Sequence, residues 1–455
     1  MSFTHLRVHT EFSRLDGACV IDDLVQKAMQ NKMRALAVTD TDSLAGAFRL
    51  WHLCIKAGIK PIIGLETSVV DNLDNDAAFP VLLIAKNGSG IANLCRLVTL
   101  RHQGGPFSTP ITKAQLAEHA QDLICLSGGS TGELNTLILE GKDDEARRVS
   151  HWFYHTFGND YFYEIQNHGL PVEAFTMNKI LNLAYETKIP LVLTNGCHCL
   201  DRGDSIDLDV LHCIRRGIDF SHPHAKRFSD SEHYFKSPRQ MKALYQFPPQ
   251  LHKNTLAIAR LIDATDAYLP VWESDLTPSI VLRLLHEFSS DLKTRSQPGE
   301  SHITVADVGD NTSRLVNYLR QRLPNFHIIH PTEYERWIPA GIYAAVLKVL
   351  KVPKARIRQL CELIPQAAKT LLEAVLMSVE FSSLSAEDYL CSLAIEIGDT
   401  LINTVKDELV PKREFVFVPK DMPLPLLADQ KGELRCQFDR RTINEIGGIS
   451  LELFI

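Results

Sequence analysis

Over roughly the first 220 residues, short apolar runs alternate with amphipathic stretches. "RALAVTD", "KPIIGLE", "FPVLLIA", "DLICLSG", "DYFYEIQ" and "IPLVLTN" are separated by segments such as "VIDDLVQKAMQNK" and "AFTMNKILNLAYETK". Runs this short, bounded by turn residues, read as strands, while the intervening stretches carry helical spacing. A strand–helix rhythm of this kind closes as a parallel sheet or barrel with helices outside it. Several runs end in a polar residue, namely Asp40, Glu66, Ser127 and Asn195. In α/β barrels the carboxyl ends of the strands carry the chemistry, so a site is expected there. "QMKALYQFPPQLHKNTLAIARLID" reads as two helices that close this first domain.

The polar, proline-containing stretch "TRSQPGESH" (294–302) reads as a linker or exposed loop. Beyond it "NTSRLVNYLRQRL", "AGIYAAVLKVL" and "PKARIRQLCELI" have helical patterns, and "REFVFVP" and "GELRCQFD" read as short strands. The second half is therefore α+β. A chain of 455 residues with 45% hydrophobic content has material for more than one core. No run reaches the ~18 apolar residues of a membrane span, and "MSFTHLRVHTEF" lacks the pattern of a signal peptide, so a cytoplasmic protein is expected. Cysteines such as Cys19, Cys54, Cys95, Cys125, Cys213, Cys361, Cys391 and Cys436 lie mostly inside apolar runs without a CxxC pair, and read as small core residues. A net charge of −7 argues against unaided grip on a phosphate backbone. The densest basic stretch, "KVPKARIR" (351–358), reads as a solvated helix face.

His5, His9, Asp16, Asp40, Glu66, His102, His168 and His198 are the polar groups near the strand ends. Gathered at one barrel mouth, histidines and carboxylates hold divalent metals that activate water for phosphate-ester hydrolysis. Taken singly, each histidine also reads as a core residue satisfied by backbone, and Asp40 as a helix N-cap. "THLRVHTEFSRLDGA", "ALAVTDTDSLAGAFRLW", "AGIKPIIGLE", "LICLSGGSTGEL", "YFYEIQNHGLP", "PLVLTNGCHCLDRGDSIDLDVLHCIRRG" and "RFSDSEHYFKSPRQMKALY" follow in order along the chain. Together they resemble the PHP (polymerase and histidinol phosphatase) domain of the alpha subunit of bacterial DNA polymerase III, the C-family replicative polymerase. The resemblance implies a distorted (β/α)7 barrel.

It also exposes departures. Active family members place histidines where Arg7, Thr41 and Leu208 stand, and an aspartate where Gly196 stands. His9, Asp16, Asp40, Glu66, His102 and His198 match family positions and remain residual candidates for zinc, manganese or magnesium. With four ligands replaced and a cationic Arg7 inside the site, no cofactor is expected. The resemblance further implies that a decayed PHP site of this kind serves as a scaffold that docks a separate proofreading exonuclease.

Two-metal nucleotidyl transfer needs two carboxylates about two residues apart on one strand and a third on a neighbour. In the frame set by "HITVADVGDNTSRLVNYLRQRLPNFHII", Thr304 and Ala306 fall where the resemblance places the pair, Asp307 lies one place along, and Glu452 falls near the third. The closing "GGISLELF" raises a separate possibility: "SLELF" resembles the short peptides that hold the sliding clamp, with Ser450, Leu451, Leu453 and Phe454 as contacts. The alternative is a plain palm strand.

The expected organisation is a PHP-like barrel over 1–270, a connection over 271–302 and a degenerate palm-like α+β domain over 303–455. The expected function is a catalytically inactive polymerase III alpha-like accessory protein in DNA replication or repair, with the sliding clamp, the proofreading exonuclease or other replisome subunits as partners and weak or indirect DNA binding. The alternative is a PHP-type metal-dependent phosphoesterase or 3′–5′ exonuclease.

Overall fold

The computed structural model describes residues 3–13, 16–73, 77–103, 109–225, 232–244, 250–264, 275–290, 292–296, 300–306, 308, 311–428 and 433–454. Asp307 and Ile455 lie outside the described residues.

The apolar runs of the first half form seven strands: β1 (Ala35–Val38), β2 (Lys60–Val70), β3 (Phe79–Ala85), β4 (Ile111–Thr112), β5 (Leu123–Leu126), β6 (Tyr161–Ile165) and β7 (Leu191–Leu193). They join one sheet in the order β1-β2-β3-β5-β6-β7, with β4 beside the far end of β2. β1/β2, β5/β6 and β6/β7 are parallel. β3 runs antiparallel to both neighbours, a reversal the uniform strand–helix rhythm does not announce. The connection from Val70 to Phe79 is too short for the crossover helix that a parallel pair needs.

The sheet curls, and its two edges meet through the amino-terminal segment. Thr39 N donates to Val8 O (2.9 Å), His9 N to Cys197 O (2.8 Å) and Cys197 N to Arg7 O (3.2 Å). Residues 5–9 therefore lie as an extended stave between the end of β1 and the chain beyond β7. Alternation along that stave sends Leu6 and Val8 into the apolar core and leaves His5, Arg7 and His9 on the other side. The expected distorted α/β barrel, followed by a smaller α+β unit, is the architecture found.

In the second half, β8 (Lys293–Arg295), β9 (His302–Ala306), β10 (Phe326–Ile329), β11 (Glu333–Arg336), β12 (Val405–Leu409), β13 (Glu414–Pro419), β14 (Leu426–Ala428), β15 (Leu434–Cys436) and β16 (Ile449–Leu453) follow. A five-stranded sheet has the order β10-β13-β16-β9-β8, while β11/β12 and β14/β15 form two-stranded ribbons. Phe415 and Phe417 face the helices Pro278–Phe288 and Thr312–Arg322, whereas Val416 and Val418 join the barrel's own core. The stretch read as a connection thus supplies a helix and an edge strand of this sheet.

The helices from Pro339–Val349 to Tyr389–Leu401 pack elsewhere. Ile342, Tyr343 and Val346 cluster with Leu208, Val210 and Leu211 of the barrel helix Ser205–Arg216, forming a separate apolar core.

The tail is a strand. β16 runs parallel to β9 and antiparallel to β13, with Ser450, Leu451 and Leu453 buried in the sheet. Two such leucines contribute about 1.5–3 kcal/mol each on burial, which holds the segment in place. Of the four residues considered for clamp contact only Phe454 is exposed, at 43%, and its N–H donates to Val305 O (2.7 Å).

Candidate functional site

The barrel mouth gathers Arg7 and His9 from the amino-terminal stave, Glu66 from β2, Glu164 from β6 and His198 from the chain after β7. Arg7 lies between the two glutamates. Its Nη1 donates to both carboxylate oxygens of Glu164, at 3.2 and 3.0 Å, and its Nη2 pairs with Glu66. Arg7 and Glu164 are buried, and Glu66 is nearly so. Burial pushes the Glu66 carboxyl up, but Arg7, aided by His9, outweighs it and holds the pKa down at about 2. Burial likewise opposes the charge on Arg7, yet Glu66 and Glu164 raise its pKa.

His9 approaches Glu66 at 3.3 Å and stacks on His198, with ring centroids 4.1 Å apart. The Nδ1 of His198 lies 2.7 Å from the backbone carbonyl of Asp16. Burial, with the neighbouring His9, lowers the His198 pKa to about 3. A second stacked pair, His168 and His233, follows with centroids 3.9 Å apart. His168 Nδ1 meets Glu173 at 2.7 Å, its Nε2 accepts from Gly196 N at 3.2 Å, and His233 Nδ1 meets Gly196 O at 3.0 Å. A Cβ at Gly196 would have only ordinary contacts, with His233, Gln166 and His168 at 3.6–3.8 Å, so a methyl group there would fit.

The remaining candidates have structural partners. Asp40 accepts from Thr10 N (2.6 Å), Thr10 Oγ1 (2.7 Å) and Ser13 Oγ (2.7 Å), which pins the turn after the stave. It does not cap a helix, because the next helix begins at Ala47 behind Gly46. The carboxylate of Asp16 lies 3.9 Å from Arg215. His102 Nε2 lies 3.2 Å from the Asp42 carbonyl, and His5 Nε2 lies 2.8 Å from the Lys236 carbonyl. Thr41 Oγ1 lies 3.4 Å from His9 Nδ1, and Leu208 is buried in the helical core.

The stave, the middle of β2 and the chain after β7 thus bring His9, Glu66 and His198 together, while Asp40 and His102 serve local geometry. The residues present do not fit a divalent ion. Arg7 already supplies the positive charge between the two carboxylates, and no group of three or more His, Cys, Asp or Glu is arranged to hold a metal among the described residues. Glu164 was not anticipated, although a lone charge inside the apolar run "YFYEI" is a readable signal. His233 and Glu173 gave none, since polar residues are common in loops and an acidic residue is common in the first turn of a helix, here Pro171–Thr187.

The second cluster lies on the five-stranded sheet. Glu452 is in register with Thr304 and with Glu414. Thr304, Ala306 and Glu452 share a face, as a palm site requires, but Glu452 is the only carboxylate among the three. His302 Nδ1 meets Ser450 Oγ at 2.8 Å, and its Nε2 lies 3.2 Å from Glu452. Arg440 Nη1 lies 3.1 Å from both Glu452 and Glu414. Here too a fixed cation sits among the carboxylates.

A curled α/β sheet closed by its amino-terminal stave, with histidines and carboxylates at the mouth, is the PHP class of domain, and residues 5–168 match the PHP domain. The chain is similar to the DNA polymerase III alpha subunit of Borreliella burgdorferi (33% identity over 57% of this chain and 24% of that protein) and of Treponema pallidum (34% over 64% and 25%). It is also similar to the error-prone DNA polymerase of Symbiobacterium thermophilum, at 32% identity over 71% of this chain and 30% of that protein. The chain therefore carries a PHP domain and is polymerase III alpha-like over this span, which amounts to about a quarter of the length of these curated relatives. Among the described residues no helix is long and apolar enough to cross a membrane.

Proposed function

We propose that this chain is a non-catalytic relative of polymerase III alpha subunits that acts in DNA replication or repair through protein partners. The observation that carries the reading is Arg7, a buried guanidinium bonded to both glutamates of the barrel mouth. A permanent cation there stands in for the charge a metal would bring, but it offers no open coordination position for water or phosphate. Thr304 and Ala306 in place of the palm carboxylates support the same conclusion for nucleotidyl transfer. The net charge of −7 favours protein contacts over direct DNA binding. A proofreading exonuclease or another replisome subunit docked on the barrel suits this role. A sliding-clamp contact would rely on Phe454, since Leu451 and Leu453 are interior.

The test is primer extension with magnesium and nucleotides, run beside hydrolysis of phosphodiesters with manganese or zinc and elemental analysis of the purified chain. Neither activity and no stoichiometric metal is the expected result. Bound zinc or manganese, with hydrolysis lost in His198→Ala, would replace this reading with that of a PHP-type phosphoesterase or exonuclease.

A further inference from the structure

The helices Leu371–Met377 and Val379–Ala386 pack against each other and against Tyr389–Leu401 through Leu371, Ala374, Phe381 and Cys391. Their outer side is apolar as well. Leu376 and Val379, on either side of the turn at Ser378, are each 85% exposed, and Leu372 and Met377 are more than half exposed. Leu372 and Leu376 are one helical turn apart and present a single face. Singly exposed apolar residues are ordinary, but this many around one turn mark an interaction site.

The charge around the turn is one-sided. Between Lys369 and Lys406 the chain contains Glu373, Glu380, Glu387, Asp388, Glu396 and Asp399 and neither lysine nor arginine. Asp388 caps a helix, Asp399 accepts from Leu371 N and Leu372 N, and Glu387 pairs with Arg356 at its rim, while Glu373, which accepts from Lys369 N (2.8 Å), and Glu380 are exposed beside the leucines. Phosphate backbones and anionic lipid surfaces are repelled by such a face. A symmetric contact between two copies would bring the same carboxylates together.

We propose that the turn formed by Leu372, Leu376, Met377 and Val379 docks a basic amphipathic helix of a protein partner, whose apolar stripe covers the leucines and whose lysines or arginines meet the flanking glutamates. The inference stands apart from the proposed function: an active polymerase or phosphoesterase carrying these helices would present the same surface.

The probe is a fluorescent synthetic helix of leucine and lysine at i, i+3, i+4, i+7 spacing, titrated into the full chain by anisotropy, with a leucine–glutamate counterpart. The leucine–lysine helix is expected to bind, at least about tenfold more weakly to L376D/V379D, and with a smaller, salt-dependent loss in Glu380→Lys. The leucine–glutamate helix is expected not to bind. Circular dichroism and the unfolding midpoint establish that the variants remain folded, and Glu380→Lys alters no buried residue. Equal affinity of the wild type and folded L376D/V379D for the lysine helix would overturn the proposal. So would a dimer in sedimentation equilibrium that L376D dissociates, or duplex DNA binding that L376D/V379D abolishes.

Discussion

Removing the charge of Arg7 gives the sharpest test of how the barrel mouth is held. In Arg7→Ala the carboxylates of Glu66 and Glu164 lose their shared guanidinium while remaining largely enclosed. The Glu66 carboxyl, now at about 2 against an ordinary value near 4.5, corresponds to about 3 kcal/mol of stability at neutral pH. Breaking a buried pair from one side typically costs about 3–5 kcal/mol, and the two figures agree. The sign with pH is distinctive. A depressed carboxyl contributes fully above its unfolded value, so the wild type loses this stabilisation as pH falls from about 4.5 to about 2. In Arg7→Ala the crowded carboxylates take up protons instead, and the gap between the two proteins closes as pH falls. Divalent manganese or zinc is expected to stabilise Arg7→Ala more than the wild type, and Arg7→His, which adds a donor beside His9 and His198, more still. Urea unfolding at pH 7 and pH 4, with and without metal, measures all of this. A cost below about 1 kcal/mol at pH 7, or metal effects equal to those on the wild type, would refute the view that Arg7 is the site's built-in cation.

Three further outcomes are expected of the same structure. Asp207, buried against the helix Tyr389–Leu401 and close to Asp204, has its pKa pushed up to about 8 by burial and by that neighbouring carboxylate. Its contribution is fully favourable only below the unfolded value near 3.9 and is lost as pH rises towards 8, so Asp207→Asn should stabilise by ~1–3 kcal/mol at pH 8 and by nothing at pH 4. Leu453→Ala should cost about 2–5 kcal/mol in chemical unfolding because the residue is core; a change near zero would show instead that the segment is a detached peptide. Gly196→Ala should be accommodated, with a change in unfolding free energy within about 1 kcal/mol, since a Cβ there meets only ordinary contacts with His233, Gln166 and His168; a larger loss would mean that the position is closed to a side chain.

The strand–helix rhythm was legible because alternation between buried strands and amphipathic helices is a local property of the chain. The same period placed Asp40 and Asn195 just past strand ends, whereas Glu66, read as the end of its run, lies inside β2, which continues to Val70. The reversal of β3 was not legible, because the strand is as apolar as its neighbours and only pairing decides its direction. The helices after Pro339 carry the spacing expected of them, but nothing local tells that they pack on Ser205–Arg216 rather than on the nearby sheet.

The tail shows the division most clearly. "ISLEL" has the alternation of a strand and the leucines of a docking peptide, and the sequence admits both readings. The pairing of β16 between β13 and β9 makes Leu451 and Leu453 core, because a central strand satisfies its backbone on both sides and buries one face. At the barrel mouth the sequence supplied the histidines, the carboxylates and an arginine at position 7, and the family resemblance set Arg7, Thr41, Gly196 and Leu208 at positions where ligands are expected. Only the tertiary structure decided that this arginine meets Glu164, 157 positions away, together with Glu66. Ion pairing depends on distance in space, and the curled sheet sets that distance.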